Sequence, residues 1–521
     1  MTSKRFFYIG CIVFIVCIIP LFGYNSDKAL TTYESIVSIC AYDTDAVIRK
    51  GSISPKDMGL ENAKNDIERY WIIYNTHVEA ARKNLLVDYS GIDSLKIELP
   101  PNAKSIRVEG SIDFKGLKLY IKNSSKNMFL FIMNNKKKNI VIPQEIVDGD
   151  DFTSIPELRS GTYQLILSDK NAWVENREGH NYGHIRKDIR LIIDGKAQNK
   201  TVMPYGDKSN TEVLSCYAEV DTTSKVLSNL TFIRSSDSEN NTYFMRANYM
   251  DNVELRNMSF YTPEIDGRYA DHIISINDCT NIIFRNVTIQ GTYSQRRKYG
   301  YGISMDNVWN VRCYNLRGDA KWGVWGNNNV NTSYLKGCNL NRYDIHCYGR
   351  DITMEDCYIH DMGLSVASVY GEIIYRRCTL YHIEPVSIRA DYNSYVPFDL
   401  KLADCKWYPT EKQNAIANMG RLDSKGNKRS ELERKCWPNI SISNLEVIHT
   451  PETKQVYLYR VNSDVELSHK IEYLSIIDIN GIHGNAVNMD ICNEPVRVMN
   501  NTQICIKAAN MCINKEKLNF Y

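Results

Sequence analysis

Between about residues 224 and 408, polar and apolar side chains alternate in short runs that recur along the chain. NIIFRNVTI (281–289), NVRCYNLRG (310–318), NTSYLKGCNL (331–340), DITMEDCYI (351–359) and EIIYRRCTL (372–380) align with one another. NVELRNMSF (252–260) precedes them and FDLKLADCKW (398–407) follows. A second set of runs lies between: HIISIN, YGISMD, WGVWGN, YDIHCY, VASVYG and VSIRAD. Two or three short strands in each irregular repeat of roughly 20–30 residues, without helical periodicity, predict stacked coils of parallel β structure. Like positions then stack, so Val287, Leu316, Cys338, Cys357, Cys378 and Cys405 form one internal column. The fold class read from this pattern is all-β, a right-handed single-stranded parallel β-helix.

Residues 60–86 follow a different rhythm. Ile67, Tyr70, Trp71, Tyr74, Val78, Ala81 and Leu85 recur at spacings of three and four, which predicts an amphipathic helix. It precedes the strand-like runs SLKIELP, SIRVEGSIDF and KLYIKN, and so stands where an exposed solenoid end needs a cap. At the start of the chain, Lys4 and Arg5 lead into a nearly all-apolar run from Phe6 to Tyr24. That is the pattern of a secretory signal or, if uncleaved, a membrane anchor. The expected organisation is 1–24 signal or anchor, 25–165 cap and first strands, 166–408 β-helix core, 409–437 a charged excursion, and 438–521 the last coils. The expected location is secreted, periplasmic or cell-surface, with membrane contact only through residues 6–24.

Composition narrows the functions open to it. Lys+Arg 63 against Asp+Glu 61 leaves no basic footprint, so no nucleic-acid partner is expected. Export would let the cysteines pair, yet Cys338, Cys357, Cys378 and Cys405 share one inward position and read as buried thiols. No CxxC or Cys/His cluster with zinc spacing occurs, so no metal site of that kind is expected. No cofactor is expected either. A calcium site is conceivable but not anticipated, because Asp306, Asp344 and Asp391 are too spread.

The coil pattern over most of residues 60–510 resembles the pectin-lyase-like superfamily. Asn341-Arg342-Tyr343-Asp344-Ile345-His346 is similar to an R-[FY]-D-x-H strand, and Arg389-Ala390-Asp391-Tyr392-Asn393-Ser394 to an R-x-D-Y-G-S segment with Asn for Gly. Both occur in an uncharacterised bacterial branch of that superfamily. The resemblance implies polysaccharide lyases, glycosidases, esterases or tailspike depolymerases as relatives. The N-T-D, G-D-D and R-I-K motifs of polygalacturonases are missing, so that chemistry does not carry over.

Alternation assigns faces. In YDIHCYG, Ile345 and Cys347 suit the interior, which puts Arg342, Asp344, His346 and Tyr348 on the outside. The same register turns Trp325, Ser304, Asp306, Ser368, Tyr370, Ser387, Arg389 and Asp391 outward, with Glu384 at the start of its strand. Coils stack roughly 4.8 Å apart, so Asp344 and Asp391 have backbones about 9–10 Å apart. Their side chains can reach the roughly 6.5–9.5 Å separation of an inverting glycosidase. Aromatics on an exposed strand invite a sugar ring, and arginine grips a uronate carboxylate through two hydrogen bonds.

The candidate catalytic set is therefore Asp344, His346, Asp391, Arg389 and Arg342. The candidate substrate-binding set is Trp325, Tyr370, Asp306, Glu384 and Tyr348. The partner expected is a polysaccharide, most naturally an acidic one. In a hydrolase, Asp344 and Asp391 divide the acid and water-positioning roles. In a lyase, an arginine or histidine face neutralises the uronate and His346 or Tyr370 removes the proton. Plain same-face ion pairs, a structural His346 and a loop-covered Trp325 are the bland alternatives. A non-catalytic carbohydrate-binding or adhesin solenoid is the alternative of a different class.

Overall fold

The computed structural model describes residues 51–174, 184–202, 205, 212–262, 272–291, 301–318, 323–367, 369–389, 398–419, 438–461, 476–485, 487–491, 496–498, 503–507, 511–512 and 518–520. The chain divides into two units, Met1–Ser52 and Ile53–Tyr521, and the second carries the solenoid. The apolar run 6–24, Ser368, Asp391 and residues 420–437 of the expected excursion lie outside the described residues.

The second unit is a parallel β-helix. Strands from successive coils pair in parallel, each residue meeting its counterpart one coil on. One inward column runs Leu255, Phe284, Cys313, Leu335, Met354, Tyr375, Leu402, Ile442. All are buried in one continuous core. The anticipated column Val287, Leu316, Cys338, Cys357, Cys378, Cys405 is also buried, and its cysteines are free thiols. Cys357 and Cys378 donate to the carbonyls of Leu335 and Met354 on the preceding coil, at 3.5 and 3.3 Å.

The residue just before each member of this column turns the chain with positive φ. Asn286, Asn315 and Asp356 have φ of 53°, 54° and 54°. Asparagine tolerates that left-handed conformation better than other L residues with a Cβ. The side chains form a ladder: Asn257 donates to Asn229 at 3.1 Å, Asn286 to Asn257 at 3.0 Å, and Asn315 to Asn286 at 3.0 Å.

The helix, Asp66–Lys83, caps the first coils. Asn65 accepts from the Glu68 amide at 2.9 Å, and Glu68 accepts from the Lys64 amide at 2.7 Å, a reciprocal cap. Its buried side is Tyr70, Ile73, Thr76, His77 and Ala80. Ile67 and Val78, expected inside, are 36% and 49% exposed. The rotation follows from His77, which bonds Tyr89 at 2.9 Å within the core side and so fixes which face turns in.

One element has no counterpart in the sequence pattern. Strands Lys137–Ile140, Thr162–Val174, His184–Ile193, Lys196–Ala197 and Val213–Glu219 form an antiparallel sheet inserted after the first coils. It docks on the outside of the solenoid. Gln164 donates to the Met250 carbonyl at 2.5 Å, Lys187 pairs with Asp306 at 3.0 Å, and Asn331 donates to the Lys200 carbonyl at 2.8 Å. Arg350 donates to the Val202 carbonyl at 3.1 Å.

Candidate functional site

An inward and an outward column run side by side past the Asp344 strand. The inward one stacks Ile274, Ile303, Trp325 and Tyr343. The outward one stacks Ser275, Ser304, Gly326, Asp344, Ser365, Ser387, Asn418 and Arg460. Trp325 is therefore a core residue, fully buried, its ring 4.7 Å from that of Tyr343. The expected outward Trp325 is corrected: Val324 before it is buried as well, because the chain turns a corner there and alternation restarts.

Asp344 faces outward but is not exposed. Its Oδ2 accepts from Tyr301 Oη at 2.5 Å and Arg342 Nη2 at 2.5 Å, and lies 3.2 Å from His346 Nε2. Its Oδ1 accepts from Arg389 Nη1 at 3.3 Å. Burial alone would raise the Asp344 pKa. The hydrogen bond and charge of His346 and the guanidinium groups of Arg342 and Arg389 outweigh it, holding the group well below the ordinary carboxylate range. Tyr301 also lies 2.7 Å from His346 Nε2.

Two glycines make this cluster possible. A Cβ on Gly326 would stand 2.4 Å from Tyr301 Cδ2, and one on Gly323 would stand 2.8 Å from Arg342 Cδ. The Tyr301 ring and the Arg342 stem lie in the space those side chains would fill. Arg342, Asp344, His346 and Arg389 are thus brought together as the alternation implied. Tyr301, which completes the cluster, was not among the expected residues; its place in the YGISMD run two coils earlier was the available signal.

Beside the cluster is a cleft of about 310 Å³, lined by Arg342, Asp361, Met362, Ser365, Ile383, Glu384, Ser387 and Gln413. Glu384 is 8% exposed. Asn418 donates to its Oε2 at 2.6 Å, and its Oε1 has Arg460 Nη1 at 3.6 Å and no hydrogen-bond partner among the described residues. Burial raises its pKa to about 7, against the smaller opposing effects of Asn418 and Arg460. The cleft thus joins a carboxyl that titrates near neutrality to an arginine bonded to one whose pKa is lowered. Environments that push two carboxyl groups apart in this way separate acid from base roles.

Three expected substrate-binding residues are placed elsewhere. Tyr348 is buried with Cys347 against Val202 of the inserted sheet, and Tyr370 packs on the same group. Asp306 is held by Lys187. All three lie beneath or beside the docked sheet, and the cause is that sheet, which covers an otherwise outward face. Cys347, expected in the bore, sits in that same contact, because Tyr348 takes φ of 58° and the strand alternation ends at His346. Among the described residues, no group of three or more His, Cys, Asp or Glu side chains could hold a metal ion.

No family model matches the chain, and no curated protein sequence matches it. Solved structures do. The tailspike protein gp49 from Pseudomonas phage LKA1 aligns at 12% identity over 90% of this chain and 78% of its own, with a TM-score of 0.50. The Gp54 tailspike of Acinetobacter baumannii bacteriophage AP22, solved in complex with A. baumannii capsular saccharide, aligns at 11% identity over 90% and 76%, with a TM-score of 0.48. The Pseudomonas phage phi297 tailspike gp61 aligns at 11% over 86% and 79%, with a TM-score of 0.44. At such identities the likeness concerns architecture and leaves activity open. The chain has a parallel β-helix fold, shared with the gp49 tailspike.

Proposed function

We propose that this protein hydrolyses an acidic polysaccharide laid in the cleft beside Arg342. The observation that carries the reading is Glu384: a buried carboxyl, pKa about 7, lining a cleft next to a bound arginine. A general acid needs a proton available at the working pH and a route to the glycosidic oxygen. In this reading Asp361, which lines the same cleft and bonds His360 at 2.9 Å, is the carboxylate that activates water. Asp344 is fully engaged and acts as a positioning residue that fixes Arg342, His346 and Arg389. Arg342, which bonds that carboxylate and also lines the cleft, is the group suited to grip an anionic sugar.

Beta-elimination is a second reading, favoured by one observation. Tyr301 and His346 are coupled at 2.7 Å beside both arginines, a base pair of the kind that could remove a proton next to a neutralised uronate. Purified protein is incubated with acidic and neutral polysaccharides while reducing ends and the ultraviolet absorbance of unsaturated uronates are followed together. Reducing ends alone support hydrolysis. Both signals rising overturn it in favour of elimination. Binding without either signal overturns both and leaves a carbohydrate-binding solenoid. Export through residues 1–24 belongs to the same proposal, and cell fractionation tests it.

A further inference from the structure

The sequence placed exposed aromatics at Trp325, Tyr348 and Tyr370, and the structure buries or covers them. A cluster of solvent-reaching aromatics stands instead on three later coils. Tyr358 is 37% exposed and Tyr381 38%, and Tyr408 is half-buried beside them. Their registers align: Tyr358 opposes Thr379, while His360, Tyr381 and Tyr408 form one outward column. Ring centroids are 6.0 Å apart for Tyr358 and Tyr381 and 5.5 Å for Tyr381 and Tyr408. His382 stacks on Tyr381 at 3.9 Å, and His360 is held by Asn339 at 3.0 Å.

The patch is continuous with the cleft. The strand carrying Tyr358 and His360 runs directly into Asp361 and Met362, and Tyr381 and His382 run into Ile383 and Glu384. Tyr408 leads through a short turn to Gln413, which also lines the cleft. The charge character of the two places differs. Arg342 serves the cleft, whereas Lys406, the cation in line with Tyr358 and Thr379, is paired with Glu446 at 3.1 Å. Apolar aromatic area left open next to a polar cleft marks a place where something stacks.

We propose that Tyr358, Tyr381 and Tyr408 form a stacking subsite for uncharged pyranose rings of the same chain whose acidic sugar occupies the cleft. The two subsites together select a heteropolysaccharide in which charged and uncharged sugars alternate. This rests on the carbohydrate reading above and narrows it from acidic glycans to mixed ones.

The test uses the full chain and isothermal titration calorimetry with fragments of hyaluronan, heparosan and unsulfated chondroitin, compared with oligogalacturonate of equal length. Wild-type protein is expected to bind at least one alternating glycan more tightly than the all-acidic one. Tyr381→Ser is expected to weaken that binding about tenfold, a typical worth of a ring contact, while Tyr381→Phe retains it. Neither change should alter oligogalacturonate binding. Equal affinities for Tyr381→Ser and wild type overturn the subsite, as does preference for oligogalacturonate or binding of none of the four. Turnover by Glu384→Gln at the wild-type rate overturns the hydrolase reading alone and leaves the subsite standing. The melting temperature of each variant separates lost stacking from lost folding.

Discussion

Two stretches of the same solenoid surface began with the same alternation and ended in different environments. Around Asp306, Tyr348 and Tyr370, the outward side chains are covered by the inserted antiparallel sheet. Around Arg342, Glu384 and Arg389, outward side chains border a cleft or the charge cluster beside it. The difference teaches that facing out of a coil and facing water are separate properties. The first follows from a two-residue period. The second depends on what a distant part of the chain lays on top.

The largest effect that would break this contrast is at Asp344. Asp344→Ala leaves the buried Arg342 and the part-buried Arg389 without this carboxylate and should cost about 3–5 kcal/mol in denaturant unfolding. A loss under about 1 kcal/mol would mean that the cluster is held by something else. Next comes Glu384→Gln, which keeps the shape and removes the proton. Reducing-end release should fall by about 10²–10⁴-fold with stability at neutral pH little changed or improved.

The same residue gives a pH signature. Its folded pKa, about 7, lies above the ordinary value of 4.5. The folded chain therefore holds a proton that the unfolded chain has lost between those values. Its contribution is fully present below about 4.5, declines as pH rises to about 7, and amounts to roughly 3 kcal/mol over that window. Unfolding measured across the window should show that decline in wild type and a flatter profile in Glu384→Gln. The smallest effect belongs to the covered face. Asp306→Asn breaks a one-third-exposed pair with Lys187, and should cost under about 1 kcal/mol and leave turnover unchanged. A large loss of activity there would erase the distinction between the two surfaces.

Much of this arrangement was legible in the sequence. The thiol column was, because a repeated position in a repeated coil has one environment. So was the convergence of Arg342, Asp344, His346 and Arg389 on one outer face. Trp325 was misplaced because a corner resets the alternation, and corners leave little local trace when the flanking residues are Gly and Val. Tyr301 was missed since it reaches Asp344 across two coils through the gap at Gly326, a contact that no spacing along the chain encodes. The inserted sheet escaped notice because an alternating run such as Thr162–Val174 reads alike whether its neighbours lie parallel or antiparallel. Glu384 was noted only for its position; its raised pKa comes from burial, which local sequence does not report.

The stacked cysteines carry a practical consequence. Cys338, Cys357, Cys378 and Cys405 lie sealed in the bore, and Cys357 and Cys378 spend their protons on main-chain carbonyls of the coil before them. An alkylating reagent reaches these sulfurs only when coils separate. Their labelling rate is thus a clock for opening of the solenoid, readable by mass spectrometry one coil at a time. It would show whether the stack frays from an end or parts in the middle beside the cleft.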